Sequence, residues 1–169
     1  ANGPIAMPAA LPGGVAYTYC VDLSMDEADS LANLLGQPSL DTRFTKPAIM
    51  YVKDFLKLPV GSAVPNGYYD QASGQWKADT DAVVVKILSF AGDTAIVDAN
   101  GYGVAATQGR LDTLQMDIAE RIQLKLQFVA GDTLVRTRMS HFSDRDLNEP
   151  EGPAPTPLSL GTGLLQRLG

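Results

Sequence analysis

The stretch from Phe44 to Leu88 constrains the fold more than any other part of the chain, because turn-forming residues divide it into segments of strand length. Ile49, Tyr51 and Phe55 lie in a run closed by Pro59 and Gly61. Val60, Ala63 and Val64 then lead into Pro65-Asn66-Gly67, a strong turn signal. Tyr68 and Tyr69 follow at once, Asp70 to Gly74 reads as a second turn, and Trp76 returns as another aromatic. Ala82 to Leu88 is a β-branched run between polar residues. The pattern predicts a hairpin or meander with an aromatic seam.

The same punctuation runs through the whole chain, with 16 Gly and 11 Pro among 169 residues of which 45% are hydrophobic. That composition suits one well-cored domain of many short strands and excludes a disordered chain. A net charge of −6, with no basic cluster larger than Arg136 and Arg138, argues against a nucleic-acid partner. No apolar run approaches the roughly 20 residues of a membrane-spanning helix. The opening Ala1-Asn2-Gly3-Pro4 has neither a starting Met nor a basic n-region, as expected of a piece of a longer polypeptide.

Residues 1–10 read as an extended segment, and Leu11-Pro12-Gly13-Gly14 turns the chain into a strand in which Val15, Tyr17 and Tyr19 alternate with Ala16, Thr18 and Cys20. Cys20 is the single cysteine, and its place in an apolar strand predicts a buried, inert thiol. Ser24 can cap a short helix over Asp26 to Leu35, which has acidic residues at its start and Gly36 at its end. Ala95-Ile96-Val97 forms a short core between turn residues. Leu111, Leu114, Ile118, Ile122 and Leu126, spaced by threes and fours, predict one amphipathic helix over 112–128 with these residues on its buried face. Asp117 and Glu120 supply a D-x-x-E start signal within it. Thr133 to Met139 reads as a strand, and 144–169 as an acidic, Pro-rich linker and tail. The module itself is placed at 11–143.

Asp98-Ala99-Asn100-Gly101 has the alternating oxygen ligands of a calcium loop, with Asp93 upstream, but no carboxylate follows where a loop of about twelve residues needs one. Asp93, Asp98 and Asn100 are therefore the candidate calcium ligands, and a solvated turn is the other reading. Asp144-Arg145-Asp146 opens like a second calcium loop, but Glu149 stands where such a loop needs glycine. His141 is the single histidine and reads as a structural residue closing the end of a sheet rather than as a general base. No phosphate-binding glycine loop is present, and nothing singles out a carboxylate pair, so no catalytic residue is assigned and the chain is not read as an enzyme. Tyr68, Tyr69 and Trp76 can form a platform for a glycan or protein surface, or fill the interior.

Several blocks together resemble a module of large bacterial RHS/YD-repeat proteins, the secreted or surface-exposed relatives of teneurins and polymorphic toxins. They are Leu11-Pro12-Gly13-Gly14, Asp26-Glu27-Ala28, Phe44-Thr45-Lys46-Pro47, Tyr51-Val52, Asp54-Phe55-Leu56, Pro59-Val60-Gly61, Val64-Pro65, Gly67-Tyr68-Tyr69-Asp70, Trp76, Glu120-Arg121, Gly131-Asp132, His141-Phe142-Ser143 and Pro150. The Asp/Gly alternation common in that family is eroded at Gly92-Asp93 and Asp98–Gly101, and its Pro-Trp-Asp continuation is replaced by Asp144-Arg145-Asp146. The resemblance implies no catalytic residues. It implies a spacer or adhesion module outside the cytoplasm whose partners are neighbouring domains of its polypeptide, with a protein or glycan surface as the further possibility.

The expected fold is mainly β, an antiparallel sandwich-like domain with one short amphipathic helix on its edge or end, and with Tyr17, Tyr51, Phe55, Trp76 and Ile87 in the core. The expected role is a non-catalytic structural or interaction module, without a cofactor; a carbohydrate-binding or calcium-stabilised adhesion module is the alternative.

Overall fold

The computed structural model describes residues 15–21, 23, 25–37 and 42–150, apart from the side chains of 15–18 and 148–150. In chain order these form strand β1 (Val15–Val21), helix α1 (Asp26–Leu35), and strands β2 (Arg43–Lys53), β3 (Ala63–Val64), β4 (Asn66–Asp70), β5 (Gln75–Ala78), β6 (Ala82–Ala91) and β7 (Thr94–Asp98). Helices α2 (Gln108–Leu114) and α3 (Ile118–Gln127) follow, then strands β8 (Thr133–His141) and β9 (Arg145–Pro150). The fold is mainly β, with two antiparallel sheets, as the turn-divided sequence predicts. One sheet has the order β1-β9-β4-β5. In the other, β2-β8-β6 continues into β3 and β7, which lie end to end along the edge of β6 away from β8.

Alternation along β6 explains why it reads as a nearly unbroken apolar run: successive side chains point to opposite faces, and both faces are covered. Ala82 and Val84 face the other sheet and pack with Tyr19, Val64, Val135 and Leu147. Val83, Val85 and Ile87 face outward and are covered by Leu111, Met116 and Leu124 from the helical segment. The protein therefore has three layers, sheet on sheet on helices. Each fully buried aliphatic side chain stabilises the fold by about 1.5–3 kcal/mol, and Val84, Val85, Ile87, Leu134 and Val135 are all completely buried.

Pro65-Asn66-Gly67 is not the tight turn its composition predicts. Ala63 and Val64 pair with β6 in one sheet, while Asn66 and Gly67 pair with β9 in the other, so the chain crosses between sheets at Pro65. Proline suits that point because its missing N–H is needed by neither ladder. Asn66, almost completely buried, secures the crossing: its Nδ2 donates to the Thr80 carbonyl and to Thr137 Oγ1, each at 3.1 Å.

Part of the expected linker is strand. Residues 145–150 form β9, inside the four-stranded sheet between β1 and β4, with Arg145, Asp146 and Leu147 buried. The expected segment at 1–10 and the remainder of the tail lie outside the described residues, as does Ser24 with its predicted cap.

The single helix expected over 112–128 is divided. Gln115 takes a left-handed conformation at φ 51°, Met116 is buried, and the Asp117 side chain caps α3 by accepting from the Glu120 amide at 2.7 Å. The D-x-x-E signal thus marks a real helix start. The helices cover a sheet face rather than an edge. The apolar stripe is also turned: Leu124 and Glu120 face the sheet, whereas Ile118 and Leu126 are 61% and 72% exposed.

α1 forms where expected and ends at Gly36, which is left-handed at φ 65°. Of the expected core residues, Ile87 is buried and Tyr51 is half-buried against the helical layer. Trp76 is only half-buried, Phe55 is 65% exposed with one ring face on Tyr19, and the Tyr17 side chain is outside those described. Cys20 is exposed, because alternation that turns Tyr19 inward turns its neighbour out.

Candidate binding cleft

A cleft of about 720 Å³ opens where α1, the start of β2, the β4–β5 hairpin and the end of β8 converge. Its lining is polar and of mixed charge, with Asp29, Asp70, Asp79 and Asp144 against Arg43 and Lys77, and with His141 beside them. Tyr68 supplies an aromatic ring within it.

Strand register places these groups. Tyr68 in β4 lies opposite Lys77 on one side and Arg145 on the other. The Arg145 side chain is fully buried, and its Nη1 donates to Asp79 Oδ2 at 2.5 Å. Its guanidinium also lies 5.7 Å from the centre of the Tyr68 ring, and the ring in turn meets His141 edge-on at 4.6 Å. Desolvating a cation is costly unless it is paired, so Asp79 is what allows Arg145 to sit under the cleft floor. Arg145 Nε and Ser143 Oγ are buried there without a hydrogen-bond partner among the described residues. His141 therefore stands at the end of a strand, against Tyr68 and within 3.0 Å of Ser140 Oγ. The Ser140 contact joins neighbours along one strand at an exposed position.

At the rim, Asp70 organises the β4–β5 turn by accepting from Ala72 N and Ser73 Oγ and by pairing with Lys77. The Lys77 ammonium and the Ser73 hydroxyl bring its carboxyl down to about 2. This chemistry suits recognition of a polar surface carrying both charges.

The three aromatic residues predicted as a platform divide between two faces. Tyr68 and Tyr69 both line the cleft, but alternation along the strand turns their rings to opposite faces, and Tyr69 pairs with Trp76 across the hairpin at 5.6 Å. Trp76 also packs against Gly67, where a side chain would stand 3.8 Å from the indole.

The candidate calcium ligands are likewise separated. Asp93 precedes β7 and pairs with Lys125 at 2.7 Å, whereas Asp98 and Asn100 lie at the other end of that strand, about 17 Å away. The Asp98 carboxylate accepts from the amides of Asn100, Gly101 and Gly103 at 2.9, 2.9 and 2.7 Å. Burial alone would raise its carboxyl, but these amides together with that of Tyr102 hold it below the ordinary carboxylate range. Asp98 thus ties down its own loop. Among the described residues no group of three or more His, Cys, Asp or Glu is placed to hold a metal ion.

A second ionic group joins the helices to the sheet. Arg136, 3% exposed, donates Nε and Nη2 to the two oxygens of Glu120 at 2.6 and 2.9 Å, and Tyr51 donates its hydroxyl to the same carboxylate. Burial and then the Glu120 charge push the Tyr51 phenol far above its usual range. Glu120 outweighs the effect of burial on Arg136 and raises it further.

Sequence reasoning did not find Arg43 and Asp79 as cleft residues, nor Arg145 buried beneath them. An arginine inside the acidic run Asp144-Arg145-Asp146 was the one available signal for Arg145.

No family model, curated protein or solved structure matches the chain.

Proposed function

We propose that this chain is a non-catalytic structural and interaction module of a large bacterial protein of the RHS/YD-repeat type, secreted or held at the cell surface. One observation carries this reading: residues from distant blocks of the resemblance meet each other in the fold. Phe44 packs on Phe142 at 4.6 Å, Tyr51 bonds to Glu120, and Tyr68 meets His141. Asp54 belongs to the same framework, accepting from the Tyr19 hydroxyl at 3.1 Å and from Leu56 N at 3.1 Å. A residue pattern made of mutual packing partners is what a scaffold requires, whereas an active site would gather its pattern around one reacting atom.

Alanine substitution at Phe142, Tyr69 and Asp54, each followed by thermal unfolding, tests the reading. Each variant is expected to melt lower. Unchanged or raised melting temperatures would contradict it, because residues kept for chemistry are commonly neutral or costly to stability.

A further inference from the structure

The space between the two sheets changes character at one end. Leu147 and Asn66 lie on the faces of β9 and β4 that look toward the other sheet, where Leu147 joins the core with Val84 and Val135 and Asn66 bonds to Thr137. Two residues along each strand, and so on the same inner face, stand Arg145 and Tyr68. Tyr68 meets His141 at the end of β8, and Lys77 lies opposite it on β5. The cleft is thus the open end of the sandwich, where charged and aromatic groups take the place of the aliphatic core.

Stability alone does not call for that exchange. A buried ion pair such as Arg145–Asp79 is often no more stabilising than apolar side chains of the same volume, and departures from an otherwise apolar interior gather at functional sites. At about 720 Å³ the cleft is of the size that holds a small ligand.

How the charges are spent narrows the class of ligand. Lys77 is paired with Asp70 and Arg145 with Asp79, while Arg43, His141 and Asp144 have interactions of their own. A charged ligand competes with these pairs. A hydroxyl group, donor and acceptor at once, joins them instead, because paired carboxylates keep lone pairs and a paired ammonium keeps hydrogens. Asp29 adds a carboxylate from α1, and Tyr68 adds a ring with an apolar body and a polar tip.

We infer that the cleft binds a short neutral oligosaccharide, its hydroxyls bonded to Asp29, Asp70 and Lys77 and one sugar ring set against Tyr68. Trp76, turned to the opposite face of the hairpin, is not part of the site. The inference rests on the interaction role proposed above and gives that role a class of partner.

The test is a glycan array probed with the 169-residue chain. The array carries neutral oligosaccharides of hexose, N-acetylhexosamine and deoxyhexose units beside sialylated and sulfated ones, and calorimetry then measures the affinity for a retained neutral glycan. Neutral glycans are expected to bind, with an affinity that changes less than about twofold between about 50 mM and about 500 mM salt, since the ligand carries no charge to be screened. Tyr68→Ala is expected to weaken binding at least about tenfold, as is Asp29→Ala combined with Lys77→Ala, while Trp76→Phe binds as wild type does. Asp29 and Lys77 are exposed, so that double variant decides the matter should Tyr68→Ala disturb folding by circular dichroism. An array on which no neutral glycan is retained, binding confined to charged glycans and lost with salt, or a neutral glycan held undiminished by the cleft variants overturns the inference. Each of those results leaves the scaffold reading in place, because that reading stands on the melting of the Phe142, Tyr69 and Asp54 variants.

Discussion

Gly101 meets Val60 so closely that a Cβ on it would lie 2.5 Å from the Val60 carbonyl oxygen, and Gly61 returns the contact, with 2.7 Å to the carbonyl carbon of Asn100. Two loops distant in sequence are therefore locked backbone to backbone. Both glycines have positive φ, 85° at Gly61 and 80° at Gly101, so a side chain there meets conformational strain as well as collision.

Gly61→Ala and Gly101→Ala are each expected to cost at least about 2 kcal/mol, since backbone atoms on the facing loop cannot swing aside. Gly92→Ala is the control: its φ is also positive, at 57°, but nothing lies within 4 Å of an added Cβ. It is expected to cost about 1 kcal/mol. Urea unfolding of the three variants checks the order, and equal losses would mean that the two loops are not interlocked.

The Arg136–Glu120 pair predicts a large loss on truncation of either partner. Arg136→Ala or Glu120→Ala is expected to destabilise by about 3–5 kcal/mol, because each leaves a buried charge unpaired. Replacing both by apolar residues of similar volume, Arg136→Met with Glu120→Leu, is expected to recover most of that loss. Tyr51→Phe should cost about 1 kcal/mol, the net value of one hydrogen bond. Denaturant unfolding in a double-mutant cycle measures the coupling, and additive single losses would contradict it.

Asp98 gives the acid limb of stability a specific source. Its folded carboxyl is held below its unfolded value by backbone amides, so its contribution is complete above the ordinary aspartate range near ~4 and is lost as pH falls through the lower folded value. Asp98→Asn is expected to lower the melting temperature at neutral pH and to flatten its fall on acidification below about pH 4. Parallel melting curves for variant and wild type across that range would rule this source out.

The same carboxylate predicts indifference to calcium. Asp98 already satisfies the amides of its own loop, and Asp93 is paired with Lys125 at the far end of β7. Melting temperatures in chelator and in about 5 mM calcium are expected to agree. A rise of several degrees with calcium would mean that the ion binds the folded state, by linkage.

How much of this was legible in the sequence depended on whether a residue's neighbours along the chain were also its neighbours in space. β6 could be read because both of its faces are apolar, and α1 because Gly36 ends it. β9 could not: Arg145 and Asp146 look solvent-seeking, and only the distant Asp79 explains how Arg145 is buried. Periodicity found the α3 stripe but not its direction, which is set by Arg136 drawing Glu120 to the sheet from a strand beyond the helix. Pro65-Asn66-Gly67 reads as a turn because a crossing between sheets uses the same residues, and only the pairing of Asn66 with Thr137 tells the two apart. The cleft was hidden for a related reason, since Arg43, Tyr68, Asp79 and His141 meet only once both sheets have formed.

The proposal that this chain is a scaffold module of a YD-repeat protein can be checked by peptide mapping of the intact polypeptide, isolated from the cells that make it with an antibody to this domain. The expected result is one long chain in which this module is followed by tyrosine-rich repeats. A polypeptide without such repeats would contradict it.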